Sequence, residues 1–186
     1  KKQLMEQLEA EIAGSIQQLS CMIENLPHVE THSKETTRIA LLLCYIKRRC
    51  NLFFREKETN TIAIGELIIY IDELSEIAKY SNVQIATVNE INGSLAIRYA
   101  TLFYDIFYAM ADRAVHTGCP YIIEQLGIEE EFLIMRLLPS EELGTFKPEP
   151  ILSAAIAAAK GNMVTKDLED TVAISISFPK KGVAYD

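Results

Sequence analysis

Side chains able to do chemistry are few in this sequence, and their spacing limits what they could do. There are three histidines, His28, His32 and His116. The first two flank a loop between two helical patterns and read as exposed loop residues. His116 falls at the end of a later helical pattern beside Gly118, where a positive ring suits the negative end of the helix dipole. Asp167, Glu169 and Asp170 gather near a late turn, which reads as a solvated turn before it reads as a weak cation site. Cys21, Cys44, Cys50 and Cys119 form no CxxC pair and lie in apolar-periodic stretches. They read as reduced core residues rather than a disulfide framework or a zinc site. No Ser/His/Asp, Cys/His or metal-ligand spacing rises above chance, so no catalytic residue and no metal ligand is assigned.

Two further groups stand out. Lys47, Arg48 and Arg49 occupy less than one helical turn and so fan around the helix rather than form a stripe. Three readings are open: a solvated surface with weak pairing of Arg55 and Glu58, a docking patch for an acidic partner, or docking against the chain's own acidic second half. Tyr99, Phe103, Tyr104, Phe107 and Tyr108 make one helix strongly aromatic, which predicts a packed core with some phenol oxygens reaching the surface.

Periodicity sets the elements that must carry these residues. Leu4, Met5, Leu8, Ile12, Ile16, Leu19, Ile23 and Leu26 recur at threes and fours, predicting an amphipathic helix over 2–25 that Pro27 ends. Ser33 is the expected N-cap of a second helix over 34–57, with Ile39, Leu42, Leu43, Ile46, Cys50, Phe53 and Phe54 apolar. The short loop implies an antiparallel hairpin. Met5, Ile12, Leu19 and Leu26 fall seven apart, so pairing with a second copy into a four-helix bundle is expected, against packing on the second domain. The residues assigned to dimerisation are Leu8, Ile12, Ile16, Leu19, Ile23, Ile39, Leu43 and Ile46. After a connector at 58–61 the rhythm changes: a strand at 61–64, a helix at 66–79, a strand at 83–88 and a turn at Asn92-Gly93. A helix over 95–116 follows, capped by Ser94 and closed by Gly118. A hairpin of 120–126 with 131–138 around Gly127, a helix over 150–160 ending at Gly161, and a hairpin of 163–167 with 171–178 complete the chain. This α+β order predicts helices on one face of a mixed sheet, with domains at 1–57 and 58–186.

Composition bounds the function. The 186 residues are 49% hydrophobic and 24% charged, enough for a buried core and too apolar for disorder. Residues 1–57 hold nine Lys/Arg against seven Asp/Glu, a net of +2; residues 58–186 hold nine against nineteen, a net of −10. The total of −8 argues against nucleic acid or anionic lipid as partner. No run approaches the ~20 apolar residues of a membrane span, although an upstream membrane or sensor region stays open.

A two-helix hairpin followed by this α/β order resembles the transmitter core of bacterial sensor histidine kinases. In that core a dimerisation and phosphoacceptor hairpin precedes the ATP-binding sandwich shared with gyrase and Hsp90-type ATPases. The segment Tyr45-Ile46-Lys47-Arg48-Arg49-Cys50-Asn51-Leu52 also looks like the second hairpin helix of a sensor-kinase-like group from Gram-positive bacteria. Carried over position by position, the resemblance puts Glu9 where the phosphoacceptor His is expected and Ala10 at its acidic neighbour. It puts Asp105 at an acid and Ala109 at the Mg²⁺-binding Asn, where a methyl group supplies no oxygen ligand. The adenine-recognising Asp-x-Gly-x-Gly should follow the strand ending near Leu138, but Pro139–Pro148 offers only Gly144 and no Asp.

The resemblance with these departures implies a cytoplasmic, homodimeric pseudokinase, in which Asp105, Ala109 and Gly144 mark a degenerate pocket. It would relay signals through dimer and partner contacts, without a cofactor. A response regulator or another signalling protein is the expected partner, with Lys47, Arg48 and Arg49 as candidate contacts. One alternative is an active two-component kinase with divergent motifs, which would use ATP and Mg²⁺ and for which His28 is an unorthodox acceptor. A second is a small-molecule-sensing module using the former nucleotide pocket.

Overall fold

The computed structural model describes residues 2–25, 33–140, 146, 148–168 and 171–180. Leu26, Pro27, His28, His32, Gly144, Glu169 and Asp170 lie outside them, as does the side chain of Ser33.

Two long helices come first, α1 (Lys2–Glu24) and α2 (Ser33–Glu56). They are followed by β1 (Thr61–Ala63), α3 (Ile64–Ala78), β2 (Gln84–Asn89), β3 (Ser94–Ala96) and α4 (Ile97–Thr117). The chain ends with β4 (Tyr121–Glu129), β5 (Phe132–Pro139), α5 (Pro150–Ala158), β6 (Asn162–Asp167) and β7 (Val172–Pro179). Five strands form one sheet in the order β2-β4-β5-β7-β6; β2 and β4 are parallel and every other pair is antiparallel. Alternation decides its faces. Ile122, Leu126, Leu133, Met135, Leu137, Ile174, Ile176 and Phe178 point into the core beneath the helices, while Tyr121, Ile123 and Val164 face outward. The fold is therefore α+β, a helical hairpin followed by a mixed sheet with helices on one face. Among the described residues no helix is long and apolar enough to cross a membrane.

Two glycines are favoured by geometry. Gly118 caps α4 at φ +85°, and its N–H bonds the Ala114 carbonyl, as the sequence predicts. At Gly161 a Cβ would run into the Phe178 ring, so any side chain where α5 turns into β6 requires that ring to shift.

Three local expectations need correction. Ser94 does not cap α4 but opens β3, whose Leu95 is fully buried and pairs with Ile62 in a two-stranded antiparallel ribbon with β1. The helix starts at Ile97 instead, with no side-chain cap. Gly127 is not the turn of the β4–β5 hairpin. It pairs with Ile134 in mid-ladder, and the turn falls at Glu130 (φ 52°) and Glu131. Cys21 is exposed on α1 rather than part of the core.

The core crosses the 57/58 boundary. Leu41 and Leu52 of α2 belong to the same buried cluster as Leu67, Ile71 and Leu74 of α3 and Phe103, Phe107 and Met110 of α4. Helix α1 packs mainly on α2, with Leu8 its single buried residue.

Candidate functional site

The functional features converge where α2 lies along the outer side of α3 and α4. On α4, Asp105, Tyr108 and Asp112 fall three and four residues apart, one stripe of the helix. On α2, Arg38, Tyr45 and Arg49 form the opposing stripe, at spacings of seven and four. The helices run antiparallel, so Arg38 meets the end of the α4 stripe and Arg49 its start. Arg38 makes a two-pronged ion pair with Asp112 (2.8 and 3.0 Å), the planar match a guanidinium offers a carboxylate. The Tyr45 hydroxyl donates to Asp105 Oδ1 at 2.9 Å, and Arg49 Nε meets the same oxygen at 2.9 Å. Arg49 also reaches Glu11 of α1 at 3.6 Å, tying all three helices together. The Tyr45 ring stacks on Tyr108 (centroids 4.2 Å apart) and on Tyr104 (5.7 Å).

A second set holds α2 to α3. Arg48 forks onto Glu73 and its guanidinium lies 4.4 Å from the centre of the Tyr70 ring. Arg55 pairs with Glu66 at 2.9 Å, not with Glu58. Consecutive helical residues point about 100° apart, so Arg48 faces α3 while Arg49 faces α4, and Lys47 stays exposed. Two of the three candidate partner cations are thus engaged by the chain's own second half.

Electrostatics follow from burial. Burial pushes the Asp105 carboxyl up to about 6, against the pull of Arg49 and the Tyr45 hydroxyl. Burial also opposes the charge on Arg49, but Asp105 and Tyr45 outweigh it and its pKa stays raised. Burial raises the Tyr104 and Tyr108 phenols, and both oxygens are enclosed without a hydrogen-bond partner among the described residues, while Tyr99 is half-buried. Ala109, one turn beyond Asp105, brings only a methyl group to this face. Phe103 and Phe107 point the other way, into the core, Phe103 packing edge-on against Phe178 of β7.

The sequence-assigned dimerisation residues divide. Leu8 is buried inside the hairpin, and Ile12, Leu19, Ile39 and Ile46 are half-buried. Ile16 (46% exposed), Ile23 (50%) and Leu43 (51%) remain open, together with Met5. Glu9 and Ala10 are exposed on α1, and His116 is exposed in the last turn of α4. Among the described residues no cluster of three or more His, Cys, Asp or Glu could hold a metal ion.

One buried group was missed from the sequence. Glu124 on β4 is 0% exposed beneath the helices; Thr87 of β2 donates to its Oε2 at 2.9 Å, and its Oε1 has no partner among the described residues. Its signal was present: it sits between Ile122 and Leu126 at an inward position of an alternating strand. Burial pushes its carboxyl up to about 8, and the charge of nearby Asp72 acts in the same direction.

No family model and no curated protein matches this sequence. Solved structures do match. The histidine kinase domain of the Erythrobacter litoralis EL346 blue-light-activated histidine kinase superposes with a TM-score of 0.62 at 11% identity, over 97% of this chain and 92% of that one. The Acinetobacter baumannii histidine kinase AdeS gives 0.53 at 10% identity, over 92% and 98%. The catalytic domain of histidine kinase ThkA gives 0.50 at 14% identity, over 64% and 94%. At these identities the likeness is one of fold: this chain has the hairpin-plus-sandwich architecture of a histidine kinase transmitter.

Proposed function

We propose that the chain is a cytoplasmic signalling module on the histidine kinase transmitter scaffold, one that relays signals through dimer and partner contacts without phosphoryl transfer of its own. One observation carries the reading: the α4 face that the resemblance assigns to Mg²⁺-nucleotide is covered by α2. Asp105 there is already paired with Arg49 and Tyr45, and the Tyr45 ring lies on Tyr108. The residues do not fit a magnesium-bound nucleotide. Ala109 supplies no oxygen for the cation, and Glu9 is exposed on α1 where a phosphoacceptor imidazole is expected. The same covering argues against a small-molecule pocket on this face. The open apolar side chains Met5, Ile16 and Ile23 of α1 support a second copy completing a four-helix bundle, whereas Leu43 lines the groove between α2 and α3.

The shared fold favours one competing reading, an active kinase with divergent motifs. Thermal unfolding with Mg²⁺-ATP separates the two, run beside transfer of labelled γ-phosphate. A ligand at 100 times its Kd adds about 2.7 kcal/mol of stability, which is roughly 5–10 °C for a chain of this size. The expected result is an unchanged melting temperature up to millimolar nucleotide and no labelled protein. A clear upward shift or a labelled chain would reject the pseudokinase.

A further inference from the structure

Between α2 and α3, beside the ion pairs but away from Asp105, lies an open groove of about 600 Å³. Leu43 and Cys44 of α2 and Ile69 and Ile77 of α3 make it apolar, and Leu43 and Ile69 are more than half exposed. Ile69 and Ile77 lie eight steps apart along the helix, about 12 Å at 1.5 Å per residue. Apolar side chains at i, i+3 or i+4, and i+7 of an incoming helix span about 10.5 Å, so two turns of such a helix match the groove.

Charge selects among helices. Asp72 and Glu76 line the α3 wall one turn apart, and Asp72 makes no ion pair among the described residues. Glu76 already pairs with Lys79 of its own helix, so Asp72 is the acid left to meet an incoming cation; burial and then the charge of Glu76 hold its pKa up, against the pull of Lys79. Glu73 at the base is answered by Arg48, and Lys47 stands on the opposite wall. A second copy's α1 is a poor occupant: it carries Lys2 against Glu6, Glu9, Glu11 and Glu24, so like charges would meet. We propose that this groove docks an amphipathic helix of a different protein, apolar along one face and bearing Lys or Arg on the edge that meets Asp72 and Glu76. The inference deepens the relay reading by naming the kind of partner, and its test involves no nucleotide, so either can fail alone.

The test is fluorescence anisotropy on the whole chain with two labelled 18-residue helical probes, one of Leu and Lys and one of Leu and Glu in the same pattern. The Leu/Lys probe is expected to bind and the Leu/Glu probe not. Ile69→Asp, or Leu43→Asp should the first variant fold poorly by circular dichroism, is expected to weaken binding about tenfold. Combined Asp72→Asn and Glu76→Gln should weaken it about threefold and flatten its salt dependence. Ile151→Asp on exposed α5 should change nothing. Equal binding of both probes, or no loss with Ile69→Asp, would overturn the proposal. A halved solution mass with Ile69→Asp would also overturn it, by giving the groove to a second copy.

Discussion

Replacing Glu124 with Gln should make the protein more stable as the pH rises, by an amount that can be worked from its surroundings. The carboxyl is fully enclosed, holds one hydrogen bond from Thr87 and keeps its proton to about pH 8, whereas an unfolded Glu loses it near 4.5. Between these values the unfolded chain binds fewer protons than the folded one, so wild-type stability falls with increasing pH. Below pH 4.5 both states are protonated and nothing is lost. Each pH unit costs about 1.4 kcal/mol, so three to four units approach about 5 kcal/mol, a large part of a typical 5–15 kcal/mol. Gln has the same shape and no charge, and it can still accept from Thr87. The two proteins should therefore nearly match near pH 4.5, and Glu124→Gln should lead by roughly 3–5 kcal/mol at pH 8, about 6–20 °C in melting temperature. The assay is urea denaturation of both proteins at half-unit steps from pH 4.5 to 8.5. Titrations common to both cancel in the difference. A difference that stays flat with pH, or that moves against the variant, would refute the reasoning.

Other consequences are simpler to state. If the proposed dimer forms through α1, Ile16→Asp with Ile23→Asp should halve the solution mass by light scattering while leaving helix content intact; an unchanged mass would remove this face from the proposed interface. Asp112→Asn leaves the half-buried Arg38 without its charged partner and should cost about 1–3 kcal/mol in urea denaturation at pH 7. Gly161→Ala should cost about 1–3 kcal/mol, because the added methyl must displace the Phe178 ring; a neutral result would mean that the ring moves freely.

The fold was legible wherever a pattern ran long enough to average over exceptions. Twenty-three residues of α1, the alternation of β5 and β7, and the glycine closing α4 were each readable locally. The three-residue β3 was not, since Ser94-Leu95-Ala96 is too short to alternate and a Ser before an apolar run resembles a cap. Gly127 misled because a lone glycine usually punctuates a hairpin. Here Ile128 continues the strand to Glu129, and a non-glycine residue, Glu130, takes the left-handed turn position. The candidate site was legible only as residue types. That Arg48 and Arg49 must diverge follows from helix geometry, but their separate partners Glu73 and Asp105 lie 25 and 56 residues further on, in helices whose placement depends on the whole core.

That placement bears on how the contact between α2 and α4 can change. The α2–α4 contact joins two ion pairs and a stacked ring, Arg38 with Asp112, Arg49 with Asp105, and Tyr45 on Tyr108, along one continuous line. Separating the helices would strand Asp105 and Arg49 in partial burial and expose the rings of Tyr45, Tyr104 and Tyr108 at once. Costs that rise together favour two arrangements over a continuum, docked or released. A helix docking between α2 and α3 would press on the same α2 that closes the α4 face, through Leu43 on one side and Tyr45 on the other. On the proposed relay reading, partner binding and the α2–α4 contact would be coupled through this single helix.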